Sequence, residues 1–269
     1  AAGSFPGFIG QTLATADVNI AFGIDVSGSM TSSFSGAVTV GDFNGDGVSN
    51  TLMDGAIASY IALNNAIVSA GFSGAQIQVI SFSDAATVVG TATAGADSAS
   101  DGQSDVEEML RSLKAYGSTN YEAGLQTAQA FFAGQPVGEA NYLYFLSDGY
   151  PNVSGVTGDE IAALQSLGVV RSAIGLGAGA SLADLKRLSS DGRADQVLDP
   201  NALTASLLGP PVSATDINNV EIRVNGTLVQ TLAGSALTVT PLGLTYNVTV
   251  PLALDAEDVV TATINYADG

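Results

Sequence analysis

The segment NIAFGIDVSGSM, residues Asn19 to Met30, changes character abruptly at its middle. Apolar and small residues run directly into an aspartate, two serines and a glycine. A continuous apolar run is typical of a strand buried on both faces of a parallel sheet, so Asp25, Ser27 and Ser29 would lie at the end of such a strand. Hard oxygen atoms gathered at one point favour a metal ion such as Ca²⁺ or Mg²⁺.

Composition limits both the fold and the chemistry. The chain has 269 residues, 46% of them hydrophobic, which is enough for one large domain or for one with a smaller companion. Its 26 acidic and 7 basic residues give a net charge of −19, which repels nucleic acid and anionic membrane surfaces, so we expect no nucleic-acid partner. We also expect no insertion into a membrane, because no uninterrupted apolar run reaches the length of a membrane span. Cys and His are absent, which excludes thiolate zinc sites and Ser-His or Cys-His catalytic pairs and leaves oxygen as the metal ligand.

Strand-like and helix-like segments alternate from Val18 to Leu208. This pattern predicts an α/β fold, a doubly wound, Rossmann-like and mostly parallel sheet flanked by helices. The expected strands are Val18–Asp25, Ala75–Ser83, Ala86–Gly90, Asn141–Asp148, Val169–Leu176 and Asp195–Asp199. The expected helices are Leu52–Ala70, Val106–Lys114, Tyr121–Phe132, Asp159–Leu167, Leu182–Leu188 and Ala202–Leu208.

A domain boundary is expected at GPPVSATD, residues 209–216, where two prolines interrupt the pattern. Beyond this linker, alternating segments flank Asn225-Gly226, a strong hairpin signal, and predict a small antiparallel β-domain at 217–269, either complete or an incomplete sandwich. The α/β domain would cover 16–208, after an N-terminal extension at 1–15. The start AAGSF and the end NYADG are abrupt, so we expect neighbouring domains in a longer chain.

Two further segments reach the edge at which Asp25 lies, because ligands of open α/β sheets sit beyond the carboxyl ends of the strands. They are AYGSTNYEAGL, which contains Thr119, and YLYFLSDGYPN, which contains Asp148. Together the three loops offer Asp25, Ser27, Ser29, Thr119 and Asp148. Two carboxylates and three hydroxyls suit a divalent cation and leave a coordination position for an outside oxygen.

The motifs DVSGSM, GSTNYEAGL and LSDGYPN, in this order, resemble the von Willebrand factor A family. The resemblance covers roughly residues 16 to 208. It implies a metal-ion-dependent adhesion site with Asp25, Ser27 and Ser29 on the first loop, Thr119 on the second and Asp148 on the third. In that family a Mg²⁺ or Ca²⁺ ion at the site accepts a carboxylate of a protein ligand.

The segment GDFNGDGVSNTLMD, residues 41–54, begins in an insertion at 31–50 and ends in the helix expected after it, and it matches the start of an EF-hand loop. Position 12 is Met53, and Asp54 comes one place late. We therefore predict a variant Ca²⁺ loop that uses Asp42, Asn44, Asp46, the Val48 carbonyl and either Asn50 or Asp54.

Two other groups of residues have more ordinary explanations. Asp97, Asp101 and Asp105 precede Glu107 and Glu108, and acids in this position favour a helix N-terminus over a third cation site. Tyr150 and Pro151, after Asp148, and Phe43 in the insertion would line the metal or pack inward, and the sequence does not distinguish these two placements.

The resemblance implies a non-enzymatic module that binds an acidic group of a protein ligand through the cation. Acidity, absence of Cys and the calcium-loop motif are similar to extracellular modules of large bacterial RTX-type adhesins, which implies the bacterial cell surface and biofilms. Two alternatives stay open: a calcium-rigidified module of a surface stalk without its own ligand, and an A-domain subunit of an ATPase assembly. Phosphoryl transfer of the haloacid dehalogenase type would need an aspartate where Ser27 stands.

Overall fold

The chain divides into two compact units. In this computed structural model the described residues are 3–8, 18–34, 39–154, 158–190, 192–208, 217–240, 243–250 and 260–266. One unit, the α/β unit, is Asp17–Leu208, and the other, the β unit, combines Ala1–Ala16 with Gly209–Gly269. The expected linker at 209–216, residues 35–38 of the expected insertion, and residues 1–2 and 9–15 of the expected extension lie outside the described residues.

The strands and helices follow in chain order. The strands are β1 Gly3–Phe8, β2 Val18–Asp25, β3 Gln76–Phe82, β4 Ala86–Thr93, β5 Ala140–Ser147, β6 Val169–Leu176, β7 Asp195–Val197, β8 Ile217–Val224, β9 Thr227–Ala233, β10 Thr238–Thr240, β11 Gly243–Val250 and β12 Val260–Tyr266. The α-helices are α1 Leu52–Ser69, α2 Asp105–Arg111, α3 Tyr121–Ala133, α4 Gly158–Ser166, α5 Leu182–Leu188 and α6 Pro200–Leu208.

The α/β unit is built on a six-stranded sheet in the order β4-β3-β2-β5-β6-β7. All neighbouring strands are parallel except β3 and β4, which are antiparallel at one edge. This arrangement confirms the predicted fold class. The expected bounds of β2 and β6 agree with the structure, whereas α2 ends at Arg111, short of the expected Lys114.

β2 and β5 form the centre of the sheet and are buried at all eight positions of each strand. The chain leaves β2 towards β3 on one side of the sheet and leaves β5 towards β6 on the other side. Strand connections therefore diverge between β2 and β5, and a crevice opens at their carboxyl ends, the usual place for ligands in this architecture. Asp25 is the last residue of β2, and Asp148 directly follows β5.

Capping fixes where the helices beside this crevice begin. The Thr51 side chain accepts a hydrogen bond from the Asp54 N–H while the Asp54 side chain accepts one from the Thr51 N–H, a reciprocal capping box at the start of α1. At the start of α3, the Asn120 side chain accepts a hydrogen bond from the Ala123 N–H. The cap of α3 therefore comes directly after Thr119, one of the candidate ligands.

An aromatic cluster holds α3 against the sheet. The rings of Phe82 and Phe145 stack with centroids 4.6 Å apart, and Tyr121 packs edge-on to both. Gly124 makes this close approach feasible, because a Cβ atom at that position would lie 2.9 Å from Phe82 Cδ1. Gly124, the second glycine of the GSTNYEAGL segment, is therefore explained by close packing.

The β unit contains two three-stranded antiparallel sheets, in the orders β1-β11-β10 and β12-β8-β9. The expected hairpin is present between β8 and β9, where Asn225 and Gly226 take φ values of 50° and 79°. Residues 3–8, expected only as part of an extension, form strand β1 and pair with β11.

No helix within the described ranges is long and apolar enough to cross a membrane.

Replacing Gly124 by Val should lower the free energy of unfolding by about 1–3 kcal/mol, because the stacked rings of Phe82 and Phe145 leave no room for added methyl groups. Urea unfolding followed by circular dichroism measures the change. The matched control is Ala130→Val on the exposed face of the same helix, which should cost only about 0.6 kcal/mol in helix propensity. Equal losses in the two variants would contradict close packing at Gly124.

Candidate metal centre

Backbone hydrogen bonds hold the first and second candidate loops together at the carboxyl edge of the sheet. The Tyr116 N–H donates to the Val26 carbonyl at 2.6 Å, and the Gly28 N–H donates to the Gly117 carbonyl at 3.0 Å. These two bonds pair the chain just after Asp25 with the chain just before Thr119. The DVSGSM and GSTNYEAGL segments are therefore neighbours, as the sequence motifs predicted.

The third loop is tied to the second through Thr119. The Thr119 carbonyl accepts hydrogen bonds from the N–H groups of Asn152 and Val153, at 3.0 and 3.1 Å. In return the Thr119 N–H donates to Asn152 Oδ1 at 2.8 Å. Both backbone polar groups of Thr119, its N–H and its carbonyl, are thus hydrogen-bonded to the third loop. The residue is only 3% exposed.

Asp25 is fully buried, and both of its carboxylate oxygens accept hydrogen bonds. The Ser27 N–H donates to Oδ1 at 2.8 Å, which closes a tight turn directly after β2. The Ser147 hydroxyl donates to Oδ2 at 2.5 Å. This carboxylate is therefore held rigidly by the first loop and by the end of β5.

The hydroxyls and the second carboxylate form a continuous chain of contacts. Ser27 Oγ lies 3.0 Å from Ser29 Oγ, and the Ser29 hydroxyl donates to Asp148 Oδ1 at 2.8 Å. A Cβ atom built on Gly149 would lie 3.6 Å from Thr119 Oγ1 and 3.8 Å from Ser29 Oγ, so these two hydroxyls flank the same point. The structure thus brings the five predicted adhesion-site residues to one place.

The environment of Asp25 and Asp148 disfavours the charged form of both carboxyl groups. The pKa of Asp25 is raised to about 7, chiefly by burial and to a smaller extent by the nearby Asp148, although hydrogen bonds from Ser147 and Ser27 lower it. Burial also raises the pKa of Asp148. Among the described residues, no Lys or Arg forms an ion pair with either group.

This donor set fits a divalent cation. A hard ion would supply the positive charge that the two buried carboxylates lack, and hydroxyl oxygens are suitable further ligands. No group of three or more acidic side chains among the described residues is arranged to hold an ion. Any ion at this site would therefore depend on the serine and threonine hydroxyls as well as on Asp25 and Asp148.

In the insertion, the structure brings together the first three predicted ligands of the calcium loop. The Asp42 carboxylate accepts hydrogen bonds from the N–H groups of Asp46 and Gly47, at 3.1 and 2.9 Å. Asn44 Oδ1 accepts from the Asp46 N–H at 3.2 Å, and Asp46 Oδ1 accepts from the Val48 N–H at 2.8 Å. The loop is thus folded tightly around Asp42, Asn44 and Asp46.

The last two predicted ligands of this loop have other partners. Asp54 accepts hydrogen bonds from the Phe43 N–H at 2.8 Å and from the Thr51 N–H and hydroxyl at 3.0 and 2.7 Å. Asn50 Oδ1 accepts from the Val40 N–H at 3.1 Å. Both side chains fasten the insertion to the start of α1, because the late position of Asp54 in the motif coincides with the third residue of a helix.

Two basic side chains, one at the end of α2 and one in the segment after it, form hydrogen bonds with the backbone of the insertion. The Arg111 guanidinium lies 4.9 Å from the centre of the Phe43 ring and donates to the Phe43 carbonyl at 3.2 Å. The Lys114 ammonium donates to the Asn44 carbonyl. Phe43 is therefore engaged in a cation–π contact within the α/β unit.

The acidic segment before α2 behaves as a helix start. Asp105, Glu107 and Glu108 lie in the first turn of α2, where the helix dipole favours negative charge. Hydrogen bonds from the N–H and hydroxyl of Ser98 lower the pKa of Asp105. Asp97 accepts from the N–H groups of Asp101 and Gly102 at 3.2 and 3.0 Å, as Asp42 does in the insertion.

Sequence reasoning missed three residues that position the ligands. They are Ser147, which contacts Asp25; Asn152, which fixes Thr119; and Asp84, which follows β3. Asp84 Oδ1 accepts from the Ser118 N–H at 2.9 Å, and its carbonyl accepts from the Asn120 side chain at 3.0 Å. The pairing of β2 with β5 ends at Ile24 and Leu146, so Asp25 and Ser147 are each the next residue of its strand, and knowledge of this register would have identified Ser147.

Gly117, in the second loop, packs closely against Asp84 and has a left-handed backbone conformation. It has a φ of +76°, which L side chains rarely adopt, and a Cβ there would lie 2.6 Å from Asp84 Oδ2. Only glycine therefore allows its carbonyl to face Gly28 while the next residue binds Asp84.

Residues 20–151 match the family model of the von Willebrand factor type A domain. The α/β unit therefore carries a domain of this type, as the resemblance of its three motifs predicted. No curated protein sequence matches the chain significantly.

Several solved structures share this fold. A von Willebrand factor type A protein from Catenulispora acidiphila has 18% identity over 98% of this chain and 64% of that chain, with a TM-score of 0.51. The pilus adhesin SpaC from Lactobacillus rhamnosus GG has 14% identity over 94% of this chain and 40% of that chain, with a TM-score of 0.55. Proximal thread matrix protein 1 from the mussel byssus has 18% identity over 75% of this chain and 46% of that chain, with a TM-score of 0.51.

The chain spans less than two thirds of the length of each of these three proteins. At identities of 14–18%, the similarity to these structures establishes the fold alone.

Replacing Ser147 by Ala should weaken binding of Mg²⁺ or Ca²⁺ by about 10- to 100-fold, because loss of a hydrogen bond to a ligating carboxylate typically has this effect. Calorimetric titration into metal-stripped protein measures the affinity. Ser112→Ala is the matched control, since the Ser112 hydroxyl is exposed and bonds only to the Met109 carbonyl of α2. Unchanged affinity in the Ser147 variant would rule out its positioning role.

The ion-free protein should lose stability as the pH rises from about 4 to 7. In this window folded Asp25, with its pKa raised from 3.8 to about 7, binds a proton that the unfolded chain releases. Because the folded state then binds more protons, its free energy of unfolding falls with rising pH. Added Mg²⁺ should stabilise the protein most above pH 7, where the Asp25 carboxyl group is mostly ionised.

Thermal melts between pH 4 and pH 8, with and without Mg²⁺, measure this dependence. Asp25→Asn is the control, since its amide does not titrate and should flatten the pH profile of the ion-free protein. An identical profile in that variant would assign the dependence to other groups.

Proposed function

We propose that the α/β unit is a metal-dependent binding module that captures a carboxylate of a protein partner through a divalent cation. The observation that carries this proposal is the convergence of two buried carboxylates and three hydroxyls at the sheet edge, from Asp25, Ser27, Ser29, Thr119 and Asp148. No Lys or Arg in the described part of the chain forms an ion pair with these carboxylates. Mg²⁺ or Ca²⁺ is the ion. Ser29 is exposed, so an outside oxygen has access from its side of the site.

The chemistry of recognition follows from charge. The chain carries a net charge of −19, so an anionic group would be repelled at long range in the absence of the ion. The bound cation reverses this at short range and accepts one oxygen of the ligand carboxylate. The module needs no catalytic group for this task, and the chain has no His or Cys to supply one.

The insertion holds a second ion, Ca²⁺, in a structural role. Its ligands are Asp42, Asn44, Asp46 and the Val48 carbonyl, since Asp54 and Asn50 are engaged in fastening the loop to α1. This Ca²⁺ stiffens the segment between the first site loop and α1. Because the insertion begins two residues after Ser29, its rigidity affects the adhesion site indirectly.

The module belongs to a large calcium-dependent surface adhesin of a bacterium, of the RTX type, which acts outside the cell and in biofilms. The calcium-loop motif, the acidity and the absence of Cys support this context, and so does the fold shared with a protein named as a pilus adhesin. Neighbouring domains of a longer chain are its covalent partners.

Titration of Mg²⁺ and Ca²⁺ into metal-stripped protein, with thermal melts at each endpoint, tests both sites. Asp25→Asn should remove one binding event and leave the melting temperature intact or raised, because the amide carries no buried charge. Asp42→Asn should remove a different event and lower the melting temperature of the Ca²⁺ form. Asp101→Asn, in a loop with similar hydrogen bonds, is the matched control and should leave both events in place.

Retention of every binding event in the Asp25→Asn variant would refute the adhesion site. If the ion binds but no protein partner is retained in an ion-dependent manner, the stalk module without its own ligand becomes the better explanation.

A further inference from the structure

Exposed apolar side chains lie on the loops that carry the candidate metal ligands. Among the described residues of the second and third loops, Tyr116 is 59% exposed, Tyr150 is 69% exposed and Val153 is 54% exposed. We name these three residues the apolar rim. They flank the ligands closely in sequence, with Tyr116 three residues before Thr119 and Tyr150 two residues after Asp148.

The backbone of the rim is rigidly held although its side chains are exposed. The Tyr116 N–H bonds to Val26, and the Val153 N–H bonds to Thr119. The carbonyl of Gly149, next to Tyr150, accepts hydrogen bonds from the Tyr121 hydroxyl at 2.8 Å and the Ser181 N–H at 3.3 Å. Exposed aromatic side chains on a fixed backbone lose little conformational entropy when a partner covers them.

Charges around the rim limit the kind of partner. The segments 26–32, 115–120 and 148–154 contain no Lys or Arg, so an incoming carboxylate meets no basic side chain of these loops. Asp84 and Glu122 lie beside the second loop, since Asp84 binds the Ser118 N–H and Glu122 lies in the first turn of α3. A ligand with many carboxylates would therefore be repelled by Asp84 and Glu122, and only the ion would attract it.

From these observations we propose that the apolar rim selects, on a protein partner, a single acidic side chain flanked by apolar residues and with basic residues farther away. This inference rests on the proposed function, because the ion must first bind the central carboxylate. Tyr116, Tyr150 and Val153 then cover the apolar neighbours of that acid. An acidic polysaccharide fits less well, because its repeated carboxylates would face Asp84 and Glu122.

The test uses the full chain with saturating Mg²⁺ and three defined probes. The first is a capped nine-residue peptide with a central glutamate, leucine and phenylalanine on both sides of it, and arginine at both ends. The second replaces the four flanking apolar residues by serine, and the third is an oligogalacturonate. Calorimetry or NMR titration gives the affinity for each probe.

The first peptide should bind about tenfold more tightly than the second, and the oligogalacturonate most weakly. The double variant Tyr116→Ser/Tyr150→Ser should lose about tenfold in affinity for the first peptide while its affinity for Mg²⁺ stays within about twofold. Tyr150→Phe should retain binding, because the ring and not the hydroxyl makes the contact. The control Val137→Ser, at a fully exposed site on the loop before β5, should change nothing.

Equal binding of the two peptides, preference for the oligogalacturonate, or no binding of any probe to the Mg²⁺-loaded protein would overturn the rim proposal. In each of these outcomes the metal site itself still stands. Failure of Mg²⁺ to bind at all would instead refute the proposed function, so the two failures are distinguishable.

Discussion

The carboxylate of Asp25 lies at the end of a strand that is buried along its whole length, and this burial constrains everything around it. A charged oxygen in such a place needs hydrogen bonds and a counter-charge. Ser27 and Ser147 supply the hydrogen bonds, but no Lys or Arg among the described residues pairs with it. The local structure is therefore fully built for a carboxylate and electrostatically incomplete without a cation.

The strand order and the helix caps of the α/β unit keep the three loops of the metal centre in contact around Asp25. Divergence of the strand connections at β2 and β5 opens the crevice, and backbone hydrogen bonds join the loops in pairs across it. Helix caps at Thr51 and Asn120 set the ends of the two loops that lead into α1 and α3. The ligands are thus preorganised, which reduces the ordering cost when an ion binds.

Much of this could be predicted from the sequence because periodicity and motif order are local signals. Uninterrupted apolar runs located β2 and β5, and the three motifs located the five adhesion-site residues that the structure brings together. Asp54 was less predictable, because the same Asp serves equally well as a loop ligand or as the third residue of a capped helix. Ser147 and β1 were missed because their roles depend on partners more than 100 residues away, at Asp25 and in β11.

The pairing of β1 with β11 has a mechanical consequence. These strands come from opposite sides of the α/β unit in the sequence, and their antiparallel register places Gly3 opposite Val250 and Phe8 opposite Thr245. The hydrogen bonds between β1 and β11 therefore close the chain into a loop that contains the whole α/β unit. A force applied at Gly3 and Val250, which lie at the same end of the pair, would therefore open these two strands one residue pair at a time before it stretched the chain between them.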